Sequence, residues 1–220
     1  MQVEIFSDVV CPWCYLGKRR FERALAEFEH GDEVTVVHRS FQLDPSAPDG
    51  PGERTVEMLS GKYGMTVEQA EQMQRQMEQR AAADGLEYHL DGQLSGNTYR
   101  AHRLLQLARE RGRQDELTER LFAAHFTERR SVFDDRELVD LCAEAGLDRA
   151  EAERVLAGND YAAEVEHDLA DARALGITGV PFFVIDRRFG VSGAQPAEVL
   201  ANALRQAHQA ARPAREPATG

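Results

Sequence analysis

Two cysteines separated by two residues are the groups in this sequence best suited to covalent chemistry. Cys11 and Cys14 enclose Pro12 and Trp13. A thiolate is the nucleophilic form of cysteine, and a neighbouring thiol can resolve the mixed disulfide that the first thiol forms. The spacing therefore predicts a site of dithiol–disulfide exchange.

The residues that follow predict a helix in which the two thiols are unequal. Apolar residues recur at helical spacing to about His30, and Gly31 is expected to end the helix. Extended back by one turn, this apolar face includes Cys14, which is therefore predicted to be buried. Cys11 falls at the N-cap, before Pro12 at the favoured first helical position. Unpaired N–H groups and the helix dipole favour an anion there, so Cys11 is predicted to be the reactive thiolate.

The same C-x-x-C pair could supply half of a zinc site. Such a site needs two further ligands, usually a second close pair. The only other cysteine is Cys142, and no two of the 7 histidines lie three to five residues apart. Because Cys142 also falls on the apolar stripe of a predicted helix, we expect it to be a small core residue. The pattern favours redox thiols without a metal.

Composition and charge restrict the class of protein. The 220 residues are 42% hydrophobic and 29% charged, and the net charge is -12. This negative charge disfavours nucleic acid or an anionic membrane as a partner. Three cysteines do not make a disulfide framework, and the first residues match a strand instead of a secretory signal. A cytoplasmic location is therefore expected, and the oligomeric state is left open.

Strand patterns lie at both ends of the chain. Residues 2–6 and 33–40 are predicted strands on either side of the first helix, which gives a βαβ unit with parallel strands. Residues 181–185 and 189–192 predict a β-hairpin, and Pro196 begins a final helix. The sequence therefore predicts an α/β fold built from both ends of the chain.

The middle of the chain is predicted to be helical. Residues 42–54 are rich in Pro, Gly and Asp and are expected to form a loop. Beyond them, Thr66 and Gln69 match a capping box, and Asp134 with Glu137 matches another helix start. Further helical patterns continue to about residue 175.

Three segments together resemble a known family. They are residues 8–17 around the cysteines, residues 97–104, and residues 178–184 with their continuation at 192–196. This combination resembles the thioredoxin fold and, with its helical insertion, the FrnE-like oxidoreductases of the DsbA family. The resemblance implies an α/β, thioredoxin-like fold with a large inserted all-helical domain. The implied division is a thioredoxin-like domain of residues 1–45 and 161–210 and a helical domain of residues 46–160. Residues 211–220 are rich in Pro, Ala and Arg, and this composition predicts a disordered tail.

The resemblance also implies roles for individual residues. Cys11 would attack, Cys14 would resolve, and the peptide bond before Pro181 would be cis. If the strand 181–185 pairs with residues 2–6, its start lies beside Cys11. The backbone of Val180 would then be offered to an extended substrate in the manner of a strand.

One departure from the family concerns a buried acid. The relatives place it on the first strand, six residues before the first cysteine, where this chain has Ile5. Glu4 is expected to face the other way, because side chains alternate along a strand. Asp8 is the nearest substitute as a proton acceptor for Cys14, and a solvated loop residue is the alternative. His102 is a candidate substrate-binding residue of the cleft, and a helix-surface histidine is its alternative.

Two activities remain open from the sequence. The first is thiol–disulfide exchange on a protein or small molecule that carries a thiol or disulfide, with glutathione as a candidate reductant. A cytoplasmic address favours reduction or isomerisation. The second follows from a resemblance to kappa-class glutathione transferases and 2-hydroxychromene-2-carboxylate isomerases. Those relatives usually carry serine at the position of Cys11 and lack the second cysteine, so the intact pair favours redox chemistry.

Overall fold

A computed structural model describes residues 1–211 of the chain, and these form a core sheet, a short ribbon and a set of helices. The strands are β1 (Gln2–Ser7), β2 (Thr35–Ser40), β3 (Pro51–Arg54), β4 (Leu94–Gly96), β5 (Phe182–Ile185) and β6 (Phe189–Ser192). The helices are α1 (Pro12–Ala26), α2 (Thr55–Tyr63), α3 (Val67–Ala83), α4 (Tyr99–Glu110), α5 (Gln114–Phe126), α6 (Asp135–Glu144), α7 (Arg149–Ala157), α8 (Ala162–Ala174) and α9 (Ala197–Ala211).

The main sheet joins the two ends of the chain. Its strand order is β2-β1-β5-β6. β1 runs parallel to β2, with Ile5 opposite His38, and antiparallel to β5, with Ile5 opposite Phe183. β5 and β6 form the predicted hairpin. The end of β1 therefore meets the start of β5, as predicted, and this places residues near 11 beside residues near 181.

Helices cover both faces of the sheet. On one face, Ile5 and Phe183 pack in an apolar cluster with residues of α1 and α9. On the other face, Phe6 packs with Val184 and with Ala172 of α8. Each fully buried apolar side chain of this kind contributes about 1.5–3 kcal/mol. Because both faces are covered, every side chain of β1 from Val3 to Ser7 is buried.

The helical middle of the chain packs around the start of α1. One apolar cluster unites residues of α4, α5, α6 and α7 and reaches the loop after β1 through Val9. A second cluster contains Cys11 and Cys14 together with residues of α3 and α5 and the segment between α3 and β4. The insertion therefore surrounds the cysteine pair. Its boundaries, predicted at 45/46 and 160/161, stay predictions.

The local helix signals are confirmed. The Thr66 Oγ1 accepts from the Gln69 N–H at 3.2 Å, and the Gln69 side chain accepts from the Thr66 N–H at 2.8 Å. Asp134 accepts from the Glu137 N–H at 3.1 Å. The first helix ends earlier than predicted, at Ala26, since the turn before Gly31 uses shorter-range hydrogen bonds.

Two predictions for the loops and the terminus differ from what the structure describes. β3 and β4 form an antiparallel ribbon, with Pro51 opposite Gly96, and β3 lies where a loop was expected. Their sequences contain no β-branched residue, so the strand pattern is absent. In the predicted disordered tail 211–220, Ala211 ends α9, and the remaining residues lie outside the described part of the chain.

Candidate redox-active site

The two cysteines occupy the first turn of α1 in the predicted arrangement. Cys11 is the N-cap, with φ -89° and ψ 111°, and Pro12 is the first helical residue. The Cys14 N–H donates to the Cys11 carbonyl at 2.9 Å. Both thiols are free, with exposed fractions of 4% for Cys11 and 2% for Cys14. The helix thus directs Cys11 to its N-terminus and places Cys14 in the apolar interior.

The surroundings of Cys14 hold its thiol in the protonated form. Burial raises the pKa of Cys14 well above its ordinary value, and the hydrogen bond and charge of Cys11 raise it further. The carboxylate of Asp8 acts in the same direction, and the backbone of Asp8 partly offsets it through a hydrogen bond. Cys14 is therefore a protonated thiol near neutral pH until a reaction partner is present.

The loop before β5 faces Cys11. The Val180–Pro181 peptide bond is cis. The Cys11 Sγ lies 3.6 Å from the Val180 carbonyl oxygen, with the thiol as donor. Gly17 makes this approach possible, because a Cβ at that position would lie 2.7 Å from the Pro181 Cγ. The position beside Cys11 is therefore the one predicted for Val180 and Pro181.

Asp8 and His102 form a buried pair behind the cysteines. Each has an exposed fraction of 1%. The His102 Nε2 lies 3.2 Å from the Asp8 Oδ1, and the Asp8 Oδ2 accepts from the Leu43 N–H at 2.8 Å. Asp8 is thus not a solvated loop residue. His102 is neither a cleft residue open to substrate nor a surface histidine, because α4 turns it inward onto Asp8.

Trp13 presents an aromatic surface beside the pair. Its exposed fraction is 39%, and the guanidinium of Arg80 from α3 lies 5.5 Å from its ring centroid. The neighbouring Pro12 carbonyl accepts from the Tyr88 hydroxyl at 2.8 Å. The inserted segment therefore contacts both residues between the two cysteines.

Sequence reasoning missed three side chains of this region. Tyr88, Arg80 and His125 all come from the helical middle of the chain, and no local motif marks them. Burial lowers the pKa of His125 to about 4, partly offset by the charge of Asp8, so this ring is neutral at neutral pH. His125 also lines a cavity of about 160 Å³ that borders β4 and the loop after α5.

Glu4 lies on the opposite face of β1 from Ile5, as strand alternation predicts. It is 1% exposed and accepts hydrogen bonds at 2.7 Å from Arg39 Nε and from Arg187 Nη2. Burial alone would raise the pKa of Glu4, but the hydrogen bonds from Arg187 and Arg39 outweigh it and lower that pKa. Arg39 also donates to Asp168 of α8 at 2.9 Å. Glu4 is therefore part of an ionic network that joins the sheet to α8.

A cysteine pair at a helix N-terminus, opposite a cis-proline loop at the edge of such a sheet, defines a thioredoxin-fold protein of the redox type. The sequence profile of the DSBA-like thioredoxin domain matches residues 2–205. The chain belongs to this DSBA-like family. Its insertion is mostly helical, but it is not the all-helical one expected, because it also contains the β3–β4 ribbon.

Three individual proteins show the range of similarity. The probable DsbA oxidoreductase SCO1869 of Streptomyces coelicolor has a crystal structure with a TM-score of 0.93 and 50% identity, covering 99% of this chain and 94% of that one. The uncharacterized protein YwbO of Bacillus subtilis (strain 168) is 29% identical over 188 residues, or 84% of this chain and 86% of YwbO. A solved 2-hydroxychromene-2-carboxylate isomerase has a TM-score of 0.73 and 16% identity, covering 96% and 98% of the two chains. That last likeness concerns the fold alone.

Within residues 1–211, no helix has both the length and the apolar character needed to cross a membrane. Over the same residues, no group of His, Cys, Asp and Glu could hold a metal ion.

Proposed function

We propose that this protein reduces or isomerises disulfides of protein or small-molecule substrates through Cys11 and Cys14. The observation that carries the proposal is the unequal placement of the two thiols. Cys11 lies at the N-terminus of α1, 3.6 Å from the Val180 carbonyl oxygen, and Cys14 is buried behind it. The first position suits a nucleophile, and the second suits a thiol that reacts only within a mixed disulfide.

The exchange balances as a two-electron transfer. The Cys11 thiolate attacks a substrate disulfide, the substrate S–S bond breaks, and the first substrate thiolate leaves and takes a proton. Cys14 then loses its proton and attacks the Cys11 Sγ, which releases the second substrate thiol and forms the Cys11–Cys14 disulfide. The dithiol is oxidised and the substrate is reduced. Two molecules of a thiol reductant, for which glutathione is the candidate, return the pair to the dithiol.

Substrate recognition would use the loop before β5 and the exposed tryptophan. Val180 lies two residues before Phe182, the first paired residue of β5, so an extended peptide could align its backbone with Val180 while joined to Cys11. Trp13 adds an exposed aromatic surface beside the nucleophile. Both features suit a flexible segment that carries a disulfide.

Insulin reduction, measured beside glutathione conjugation, tests the proposal. We expect the wild-type protein to reduce insulin and Cys11→Ser to lose this activity. The matched control is Cys142→Ala, because Cys142 is buried in the cluster of α4 to α7, away from the pair, and should be dispensable. Conjugation or isomerisation of a glutathione adduct without insulin reduction would instead favour the transferase or isomerase function.

Trapping identifies the substrates if exchange is confirmed. Cys14→Ser should leave Cys11 joined to its partners as stable mixed disulfides, and mass spectrometry would name them. Cys11→Ser is the control, because burial raises the pKa of its remaining Cys14 and keeps that thiol protonated. Equal capture by both variants would contradict the assignment of Cys11 as the attacking thiol.

A further inference from the structure

The guanidinium of Arg80 lies over the tryptophan between the two cysteines and has no acidic partner. Arg80 belongs to α3, and its side chain is exposed. Its guanidinium carbon is 5.5 Å from the centroid of the Trp13 ring. Among residues 1–211, no ion pair or side-chain hydrogen bond includes Arg80. Arg20 of α1, by contrast, pairs with Asp84 at 2.7 Å. The N–H groups of Arg80 are therefore available to a ligand.

The helix that carries Arg80 packs against the redox site. Met77 and Ala81, on either side of Arg80 along α3, are buried and belong to the apolar cluster that contains Cys11 and Cys14. Arg80 is adjacent to this buried face, because successive helical residues are turned by about 100°. It therefore lies at the rim of the site, on the side where Trp13 is exposed.

The indole and the guanidinium together suit a substrate group that carries a negative charge. An arginine that lies over an aromatic face keeps its in-plane N–H groups, and two of these match the two oxygens of a carboxylate. The net charge of the whole chain is -12, so an anionic substrate is repelled by the molecule at long range. An arginine without an acidic partner offsets this repulsion close to Cys11.

We propose that Arg80, held over Trp13, selects disulfides that carry a carboxylate close to the sulfur atom that Cys11 attacks. The inference names the substrate class of the proposed exchange function and rests on that function. The carboxylate belongs either to an acidic residue beside a peptide cysteine or to a small thiol such as glutathione. Arg80 binds this group and takes no part in the electron transfer, so it is a specificity-determining residue.

Two coloured disulfides of different charge test the proposal. Dithiobis-nitrobenzoate carries a carboxylate on each ring, and dithiodipyridine carries none. Stopped-flow absorbance gives the rate at which the reduced protein releases the first thiol from each. In Arg80→Gln we expect the rate with the charged disulfide to fall by about 2- to 5-fold relative to the rate with the neutral one, which is the scale of an exposed ion pair. Arg80→Lys should restore part of this ratio, because it keeps the charge.

Arg75→Gln is the matched control. Arg75 is also an exposed arginine of α3, but it lies on a different face of the helix and pairs with Glu71 at 3.8 Å. Its replacement changes the net charge by the same amount as Arg80→Gln, so the ratio should stay at the wild-type value. A wild-type ratio in Arg80→Gln, or an equal fall in the two variants, would overturn the proposal.

Two further pairs of disulfides identify the source of the carboxylate. Oxidised glutathione is compared with its ester, and a disulfide-linked peptide with glutamate beside cysteine is compared with its glutamine version. A charge-dependent loss in Arg80→Gln with the first pair assigns a small thiol, and a loss with the second assigns a peptide. A loss with neither pair would overturn the proposal. Failure of the wild-type protein to release thiol from any of these disulfides would contradict the exchange function itself, which is a different result.

Discussion

Glu4 within β1 and Asp8 just after it are two buried carboxylates that differ in their partners. Each is 1% exposed. Glu4 accepts from the guanidinium groups of Arg39 and Arg187, whereas Asp8 pairs with the imidazole of His102. Arginine stays charged at all ordinary pH values, while histidine can gain or lose a proton near neutrality. The two acids therefore differ in whether their partner carries a permanent charge.

The surroundings of the two acids follow the same division. Beyond Glu4, Arg39 donates to Asp168, and Asp168 also accepts from the Ser40 N–H at 2.9 Å and from Gln106 at 2.6 Å. All of these groups have fixed partners. Around Asp8, by contrast, lie a thiol with a raised pKa and a histidine nitrogen that has no hydrogen-bond partner among residues 1–211. The ionic network around Glu4 therefore suits a role in stability, and the surroundings of Asp8 suit a role in chemistry.

Removal of the Glu4 charge should have the largest effect on stability. Glu4→Gln leaves Arg39 facing Asp168 alone and deprives Arg187 of one of its two carboxylates, so we expect the free energy of unfolding to fall by about 3–5 kcal/mol. Urea denaturation measures the change. Glu22→Gln is the control, because Glu22 is a partly exposed partner of Lys18 on α1 and its loss should cost about 1 kcal/mol or less. Equal effects of the two variants would contradict the structural role of Glu4.

Acid should destabilise the fold first through the buried ring of His125, which lies near Asp8. The pKa of His125 is lowered from 6.5 to about 4 by burial. As the pH falls through this interval, His125 binds a proton in the unfolded chain but not in the folded chain. The free energy of unfolding should therefore fall by about 3 kcal/mol. Glu4, whose pKa is lowered from 4.5, contributes above that pH, and its contribution is lost only as the pH falls further.

Urea denaturation across this pH interval tests the role of His125. His125→Gln should flatten the dependence of stability on pH, because the titrating group is gone. His89→Gln is the control, since His89 is a partly exposed histidine with an acidic neighbour. A slope that survives in His125→Gln would assign the acid sensitivity to another group.

A methyl group at Gly17 should disturb the redox region without changing its charge. In Gly17→Ala the new Cβ would lie 2.7 Å from the Pro181 Cγ, so the loop before β5 must shift away from α1. We expect a loss of about 1–3 kcal/mol in stability and slower attack by Cys11. Gly61→Ala on α2 is the control, because nothing lies within 4 Å of its added Cβ. Unchanged attack by Cys11 in Gly17→Ala would contradict the importance of this close approach.

Neutralising Asp8 should have the smallest effect on stability but a distinct effect on Cys14. Asp8→Asn keeps the shape of the side chain, so we expect a loss of about 1 kcal/mol from weaker hydrogen bonds. Because the carboxylate helps to raise the pKa of Cys14, its removal should lower that pKa, and the thiolate should form at lower pH. Thiolate absorbance against pH measures this shift. Asp115→Asn is the control. An unchanged profile in Asp8→Asn would contradict the contribution of the Asp8 carboxylate to the pKa of Cys14.

The features that the sequence predicts correctly depend on neighbours along the chain. Cys11 as the N-cap, Pro12 in the first turn and the Thr66 capping box all follow from spacings of a few residues. Alternation along β1 likewise predicts that Glu4 and Ile5 face opposite ways. These are short-range effects, and a single sequence contains them in full.

The features that remained open depend on contacts between distant segments. His102 lies 94 positions from Asp8, so neither a cleft nor a surface position could be excluded before the fold was known. Tyr88 reaches the Pro12 carbonyl across 76 positions. The arginine partners of Glu4 likewise come from β2 and from the turn after β5. No periodicity records such pairings, because packing in three dimensions creates them.

The distance along the chain between Cys11 and Val180 has a consequence for synthesis. These residues are 169 positions apart, and β5 completes the sheet beside β1 only when the C-terminal part has been made. The contact between Cys11 and the loop before β5 therefore forms only after nearly the whole chain has been synthesised. Until then the attacking thiol lacks the Val180 carbonyl to which it donates in the finished fold.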